Sequence, residues 1–102
     1  MSRPLTIKIS ARAAAQIEKV AAWWADNRPA APGAVRNDVA EVLELLSVQP
    51  GTGTPARRSR VVGVRRAILP RIQYYIYYRV SGGALEVLAF RHMSRGQQPY
   101  GF

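Results

Sequence analysis

Residues 73–81, QYYIYYRVS, followed by Gly82-Gly83 and by ALEVLAFRH at 84–92, constrain this chain more than any other stretch. Aromatic and β-branched residues fill nearly every position of the first segment, which favours a pleated, half-buried surface over a helix. Paired glycines supply the positive φ angles of a tight hairpin, so the two segments are expected to be antiparallel strands. Side chains alternate along a strand, so Tyr74, Ile76, Tyr78 and Val80 share one face while Tyr75, Tyr77 and Arg79 share the other. Ile76 and Val80 mark the first face as the one that meets a core. The second face is then expected to present phenols and a guanidinium group outward.

Upstream, the hydrophobic period changes twice. PLTIKIS alternates Leu5, Ile7 and Ile9 with polar residues, the signature of a half-buried strand. Ser10 is placed to cap a helix in which Ile17, Val20, Ala21 and Trp24 recur at helical spacing, ending near Asp26–Arg28 before RPAAPG. A second helix is expected from the region Pro32–Val35, with Val35, Val39, Val42, Leu43 and Leu46 along one face, stopped by Pro50-Gly51. Neighbouring residues on a helix lie about 100° apart, so only one of Trp23 and Trp24 can face inward. Trp24 is expected inside and Trp23 at the edge of the hairpin, where it covers a loop or meets a partner. QPGTGTPARRSR reads as irregular, VGVRRAIL as a strand closed by Pro70, and the tail MSRGQQPYGF as lacking regular structure. The expected architecture is a two-layer α+β fold, β-α-α-β-β-β, with a helical hairpin on one face of an antiparallel sheet. A chain of 102 residues supports one core, so residues 1–102 are read as a single domain.

Charge divides the chain unevenly. Residues 1–44 carry six Lys/Arg against five Asp/Glu, whereas residues 45–102 carry nine Arg against Glu86 alone, a balance of +8 out of the total +9. Every cation of the second half is arginine, whose planar fork suits phosphate and carboxylate better than an ammonium does. A solvated basic face that aids solubility is the bland explanation; confinement to one half favours a binding surface. With one His, no Cys and one acid in the basic half, neither a zinc site nor a two-metal site can be assembled. GTGTP lacks the lysine and the spacing of a phosphate-binding loop, and Ser59, Ser81 and Ser94 have no visible His–acid partnership. No cofactor and no metal are expected. The first residues, MSRPLTIKIS, lack the apolar run of a signal peptide, and no stretch approaches the roughly 20 apolar residues of a membrane span. A cytoplasmic protein without membrane contact is expected, and the absence of cysteine agrees with a reducing compartment.

GVRRAILPRIQYYIYYRV at 63–80 and LEVLAFRHMSRG at 85–96 resemble the RelE/ParE superfamily of bacterial type II toxins. In that superfamily an Arg-bearing strand leads through a Pro loop into an aromatic strand ending Y-Y-R-V, and the last strand ends in an apolar–basic–His segment followed by Arg. The resemblance implies that the first strand lies beside the C-terminal one. It also implies a cognate antitoxin, acidic and partly disordered until bound, that neutralises the toxin in a hetero-oligomer. RelE-like members cut messenger RNA on the ribosome; ParE-like members poison DNA gyrase by binding it.

Cleavage through a 2′-hydroxyl needs a base, cations for the phosphate and an acid for the leaving oxygen. His92 is the sole histidine and so the natural proton carrier, with Arg91, Arg66 and Tyr100 as further candidates if the chain is a nuclease. A local hydrogen bond closing the sheet edge is the plainer role for His92. The RelE-type branch commonly carries lysines or a Glu in and before the second strand, whereas here Arg57, Arg58, Arg60, Arg65 and Arg66 occupy that region. That leaves the nuclease set incomplete. The reading that follows is a ParE-like toxin that inhibits growth by binding gyrase. Arg65, Arg66, Arg71, Tyr75, Tyr77, Arg79, Arg91, Arg95 and Trp23 are the residues expected to meet the target or the antitoxin. A ribosome-dependent ribonuclease is the alternative, and a harmless nucleic-acid-binding module the third.

Overall fold

A computed structural model describes residues 3–56 and 59–95. Their order is strand β1 (Thr6–Ile9), helix α1 (Ala11–Asn27), helix α2 (Ala34–Val48), and strands β2 (Thr54–Pro55), β3 (Arg65–Leu69), β4 (Tyr74–Ser81) and β5 (Ala84–His92). Short 3-10 turns cover Pro50–Thr52 and Met93–Arg95. Among the described residues the five strands form one sheet in the order β1-β5-β4-β3-β2. The first strand does lie beside the last. That pair runs parallel, with Thr6 beside Ala84 and Ile9 beside Val87, so the sheet is mixed. The added strand, β2, is a two-residue edge pairing Thr54 and Pro55 with Arg66 and Arg65. Pro55 and the strand's brevity suit an edge, where an unpaired ladder would otherwise attract other chains.

The sequence signals act where they stand. Ala13 N–H donates to Ser10 Oγ at 3.1 Å, satisfying one of the orphan donors of α1. The Ser10 hydroxyl in turn donates to the Leu88 carbonyl at 3.2 Å. Gly82 and Gly83 take φ values of 55° and 77°, which lets β4 turn directly into β5. Helices and sheet bury one cluster between them: Ala13, Ile17 and Ala21 from α1, Val35, Val39, Leu43 and Leu46 from α2, and Ala67, Leu69, Ile76, Tyr78, Leu85, Val87 and Phe90 from the sheet. Trp24 packs against that cluster half-buried, and Trp23 remains 51% exposed.

Two expectations about the sheet faces are corrected. The outward face is not bare, because Ala56, Val61 and Val64 pack over it and build a second cluster with Tyr77, Ala89, Tyr75 and Leu88. Tyr77 is consequently as fully buried as Tyr78. The other correction concerns Val80, which shares the helix-side face but is 48% exposed, because it lies near the hairpin end of β4 and packs into neither cluster.

The face pattern of β5 also shifts midway. Tyr77 pairs with Ala89 and Tyr78 with Val87, so Leu88 is the extra residue of a β-bulge. Before the bulge Leu85 and Val87 face the helices; after it Phe90 does, while Leu88 and Ala89 join the second cluster.

Candidate functional site

On the outward face, away from the helices, Arg66 stands opposite Tyr77 and Arg91 opposite Tyr75. The Arg66 guanidinium lies 4.3 Å from the centre of the Tyr75 ring, a cation–π contact at a half-buried position. Tyr75 meets Tyr77 edge-on with centroids 6.2 Å apart, so the buried phenol props the half-exposed one. Ile68, opposite Tyr75 on β3, is 51% exposed and extends this surface with an apolar spot. At the far end Arg79 Nε donates to Glu86 Oε1 at 2.7 Å across the β4–β5 ladder. Arg66 and Tyr75 therefore form one contact, with Arg91 opposite Tyr75 on β5, while Arg79 at the far end faces a carboxylate.

Other arginines that the sequence suggested for the same surface belong elsewhere. Arg65 stands opposite Tyr78 on the helix-side face, and its Nη1 donates to the Gly53 carbonyl at 2.7 Å. Arg71 grips Asp38 of α2 with two hydrogen bonds, Nε to Oδ2 at 3.0 Å being one, and that partner raises the affinity of Arg71 for its proton. This pair fixes the turn between β3 and β4 against the helix hairpin. The Arg95 backbone closes the Met93–Arg95 turn. Arg57, Arg58 and Tyr100 lie outside the described residues.

Of the residues named for proton transfer, His92 is separated from Arg66 by the sheet, whereas its β5 neighbour Arg91 borders the same cleft beside α1 as His92 does. His92 pairs with Tyr74 on the helix-side face, its ring edge-on to the tyrosine at 5.0 Å. Its Nδ1 accepts the Ser94 N–H at 3.1 Å and lies 2.7 Å from Ser94 Oγ. That local capping pattern makes Nδ1 an acceptor. Among the described residues no group of three His, Asp or Glu could hold a metal ion, and no helix is long and apolar enough to cross a membrane.

Sequence reasoning weighted the second half of the chain and so passed over Lys19 and Arg28. Both come from the α1 end of the molecule, spaced four residues from Trp23 and Trp24 respectively. The Arg28 guanidinium lies 5.8 Å from the Trp23 ring and 5.5 Å from the Trp24 ring. The i,i+4 spacing of cation and indole was the available signal.

Comparison with known proteins adds three findings. The sequence family described as the ParE toxin of the type II toxin–antitoxin system, parDE, matches residues 7–96. A solved structure described as the chromosomal ParDE toxin–antitoxin system from P. aeruginosa is similar, with a TM-score of 0.71 and 26% sequence identity over 89% of this chain and 98% of that one. Among curated proteins none matches.

Proposed function

Because the chain belongs to the ParE toxin family of type II toxin–antitoxin systems, we propose that it arrests growth by binding DNA gyrase and that a cognate antitoxin neutralises it. The observation that carries binding over hydrolysis is the division of residues by the sheet. Arg66 lies against Tyr75 on the outward face, while the sole histidine pairs with Tyr74 on the other side with Nδ1 engaged by Ser94. A surface of guanidinium groups, a phenol and an apolar spot grips a partner without needing to move a proton. The half of the chain that builds this surface carries +8 of the net charge, which favours an acidic antitoxin segment as the neutralising partner. The similarity to a ParDE toxin–antitoxin system supports the same pairing.

The test is a supercoiling assay with purified gyrase and purified toxin. Inhibition is expected, with Arg66→Ala/Arg91→Ala weakening it at least tenfold and His92→Ala leaving it within twofold. Normal supercoiling, together with cleaved message in a translation extract, would replace this reading with the ribonuclease one. Co-purification with the product of an adjacent acidic reading frame, lost when that frame is deleted, checks the antitoxin.

A further inference from the structure

A cleft of about 1150 Å³ opens between the C-terminal half of α1, the loop that follows it and the end of the sheet where β4 begins and β5 stops. It is separate from the Arg66–Tyr75 contact and exceeds the roughly 300–1,000 Å³ of ordinary small-molecule pockets. Its walls are aromatic on both sides: Trp23 and Trp24 from α1, and Tyr74 stacked on Phe90 from the sheet, their rings 4.4 Å apart and within 7° of parallel. Lys19, Arg28, Arg71 and Arg91 line it as cations, Arg71 being the one held by Asp38, and among the described residues no Asp or Glu lines it. Asp38, the acid that pairs with Arg71, contributes nothing to the lining. Amide side chains complete the rim. Gln73 is held there with φ at 62°, a left-handed conformation uncommon for a residue with a side chain, pinned by Gln73 N–H to Leu69 O and Met93 N–H to Gln73 O, each at 2.9 Å.

Flat apolar rings, fixed cations, carboxamides and an absence of carboxylates select a ligand that is planar at one end and anionic at the other. We propose that this cleft binds a nucleotide, its base against the aromatic walls and its phosphates toward Lys19, Arg28 and Arg91. Base stacking on aromatic side chains is tolerant of base identity, and arginine supplies both a stacking plane and a phosphate fork. The same chemistry is offered by a free nucleoside triphosphate and by the exposed end of a single strand. The site does not rest on gyrase binding and shares only Arg91 with the outward surface.

The two tryptophans provide a direct readout. Titrating the full chain with adenosine triphosphate should quench their fluorescence saturably, and calorimetry should show at least tenfold weaker binding of inorganic triphosphate. A pentadeoxynucleotide distinguishes the sources: tighter binding than adenosine triphosphate assigns the cleft to single strands, weaker binding to free nucleotides, and either supports a nucleotide site. Trp23→Ala and Arg28→Ala, both at exposed positions, should each lower affinity at least tenfold by calorimetry. Arg60→Ala, which removes the same charge from the loop over the outward face, should leave it within twofold. The proposal falls if adenosine triphosphate at millimolar concentration gives neither quenching nor heat, if inorganic triphosphate binds as tightly as the nucleotide, or if Arg60→Ala weakens binding as much as Arg28→Ala.

Discussion

Gly53 is enclosed on three sides. Its N–H donates to Tyr78 Oη at 3.0 Å, its carbonyl accepts from Arg65, and a Cβ built on it would stand 2.4 Å from Tyr78 Oη and 2.6 Å from the Arg66 carbonyl. The need for glycine here is steric, since its φ of −73° is open to any residue. Tyr78 completes the arrangement by donating to the Pro50 carbonyl at 2.6 Å, tying β4 to the turn after α2. Tyr78→Phe leaves the Gly53 N–H and the Pro50 carbonyl without these partners and is expected to destabilise by about 1–3 kcal/mol. Gly53→Ala should cost about as much through overpacking, yet less in the Tyr78→Phe background, where the nearer of the two clashing oxygens is gone; urea denaturation of the four proteins measures that coupling. Burial raises the Tyr78 pKa, against the opposing pull of the Gly53 N–H and the Arg65 charge. A raised pKa means that the folded state holds the proton more tightly than the unfolded chain. The contribution is therefore complete below the unfolded value of about 10 and is lost as pH rises through the folded one. Wild type should lose more stability than Tyr78→Phe between about pH 9 and 11; equal losses would show that this phenol does not supply the alkaline limb.

At the scale of elements, the union of α1 and β5 depends on a handover. Strand β1 stops at Ile9 after Ser10 N–H donates to the Val87 carbonyl at 3.0 Å, and from there side chains of the next segment serve the open edge of β5. Ser10 Oγ takes the Leu88 carbonyl, and Gln16 Oε1 accepts the Phe90 N–H at 2.8 Å. These contacts flank the bulge at Leu88. Gln16→Ala should leave the Phe90 amide unsatisfied, costing about 1–3 kcal/mol. In hydrogen exchange, Phe90 should lose protection while the Ile76 amide, in the middle of β4, keeps its own. The helices, the β4–β5 hairpin and the two faces of β4 were legible in the sequence, because local periodicity and paired glycines carry them. The bulge was not, since ALEVLAFRH is apolar at most positions and has no marker for a change of face. Nor was the cover over the outward face: QPGTGTPARRSR reads as irregular, whereas Pro50–Thr52 form a 3-10 turn and Thr54–Pro55 an edge strand, and which side of the sheet Ala56 and Val61 take is decided by packing. The same limit applied to the arginines. Alternation along one strand could assign Arg79, whereas the carboxylate that holds Arg71 comes from α2, thirty-three positions earlier in the chain.

For the whole molecule, the net charge of +9 overstates how much of the basic surface is available to a partner. Carboxylates already hold Arg36 through Glu18, Arg71 through Asp38 and Arg79 through Glu86. Each of those pairs is at least partly exposed, so each adds little to stability, but each lowers the local field that a binding partner meets. On the outward face the Arg66 charge lies against the Tyr75 ring, and Arg91 stands opposite the same tyrosine. Association with an acidic antitoxin should consequently be steered by part of the arginine set alone. Affinity measured from about 0.1 to 0.5 M salt is expected to fall steeply for wild type, given a screening length near 10 Å at the lower end. Arg66→Ala/Arg91→Ala should flatten that slope, and Arg71→Ala should alter it less, because Arg71 sits on the turn between β3 and β4 against α2 and not in the Arg66–Tyr75 contact. A slope that changes by the same amount per charge removed in both variants would mean that the partner senses total charge and that the position of each arginine is irrelevant to recognition.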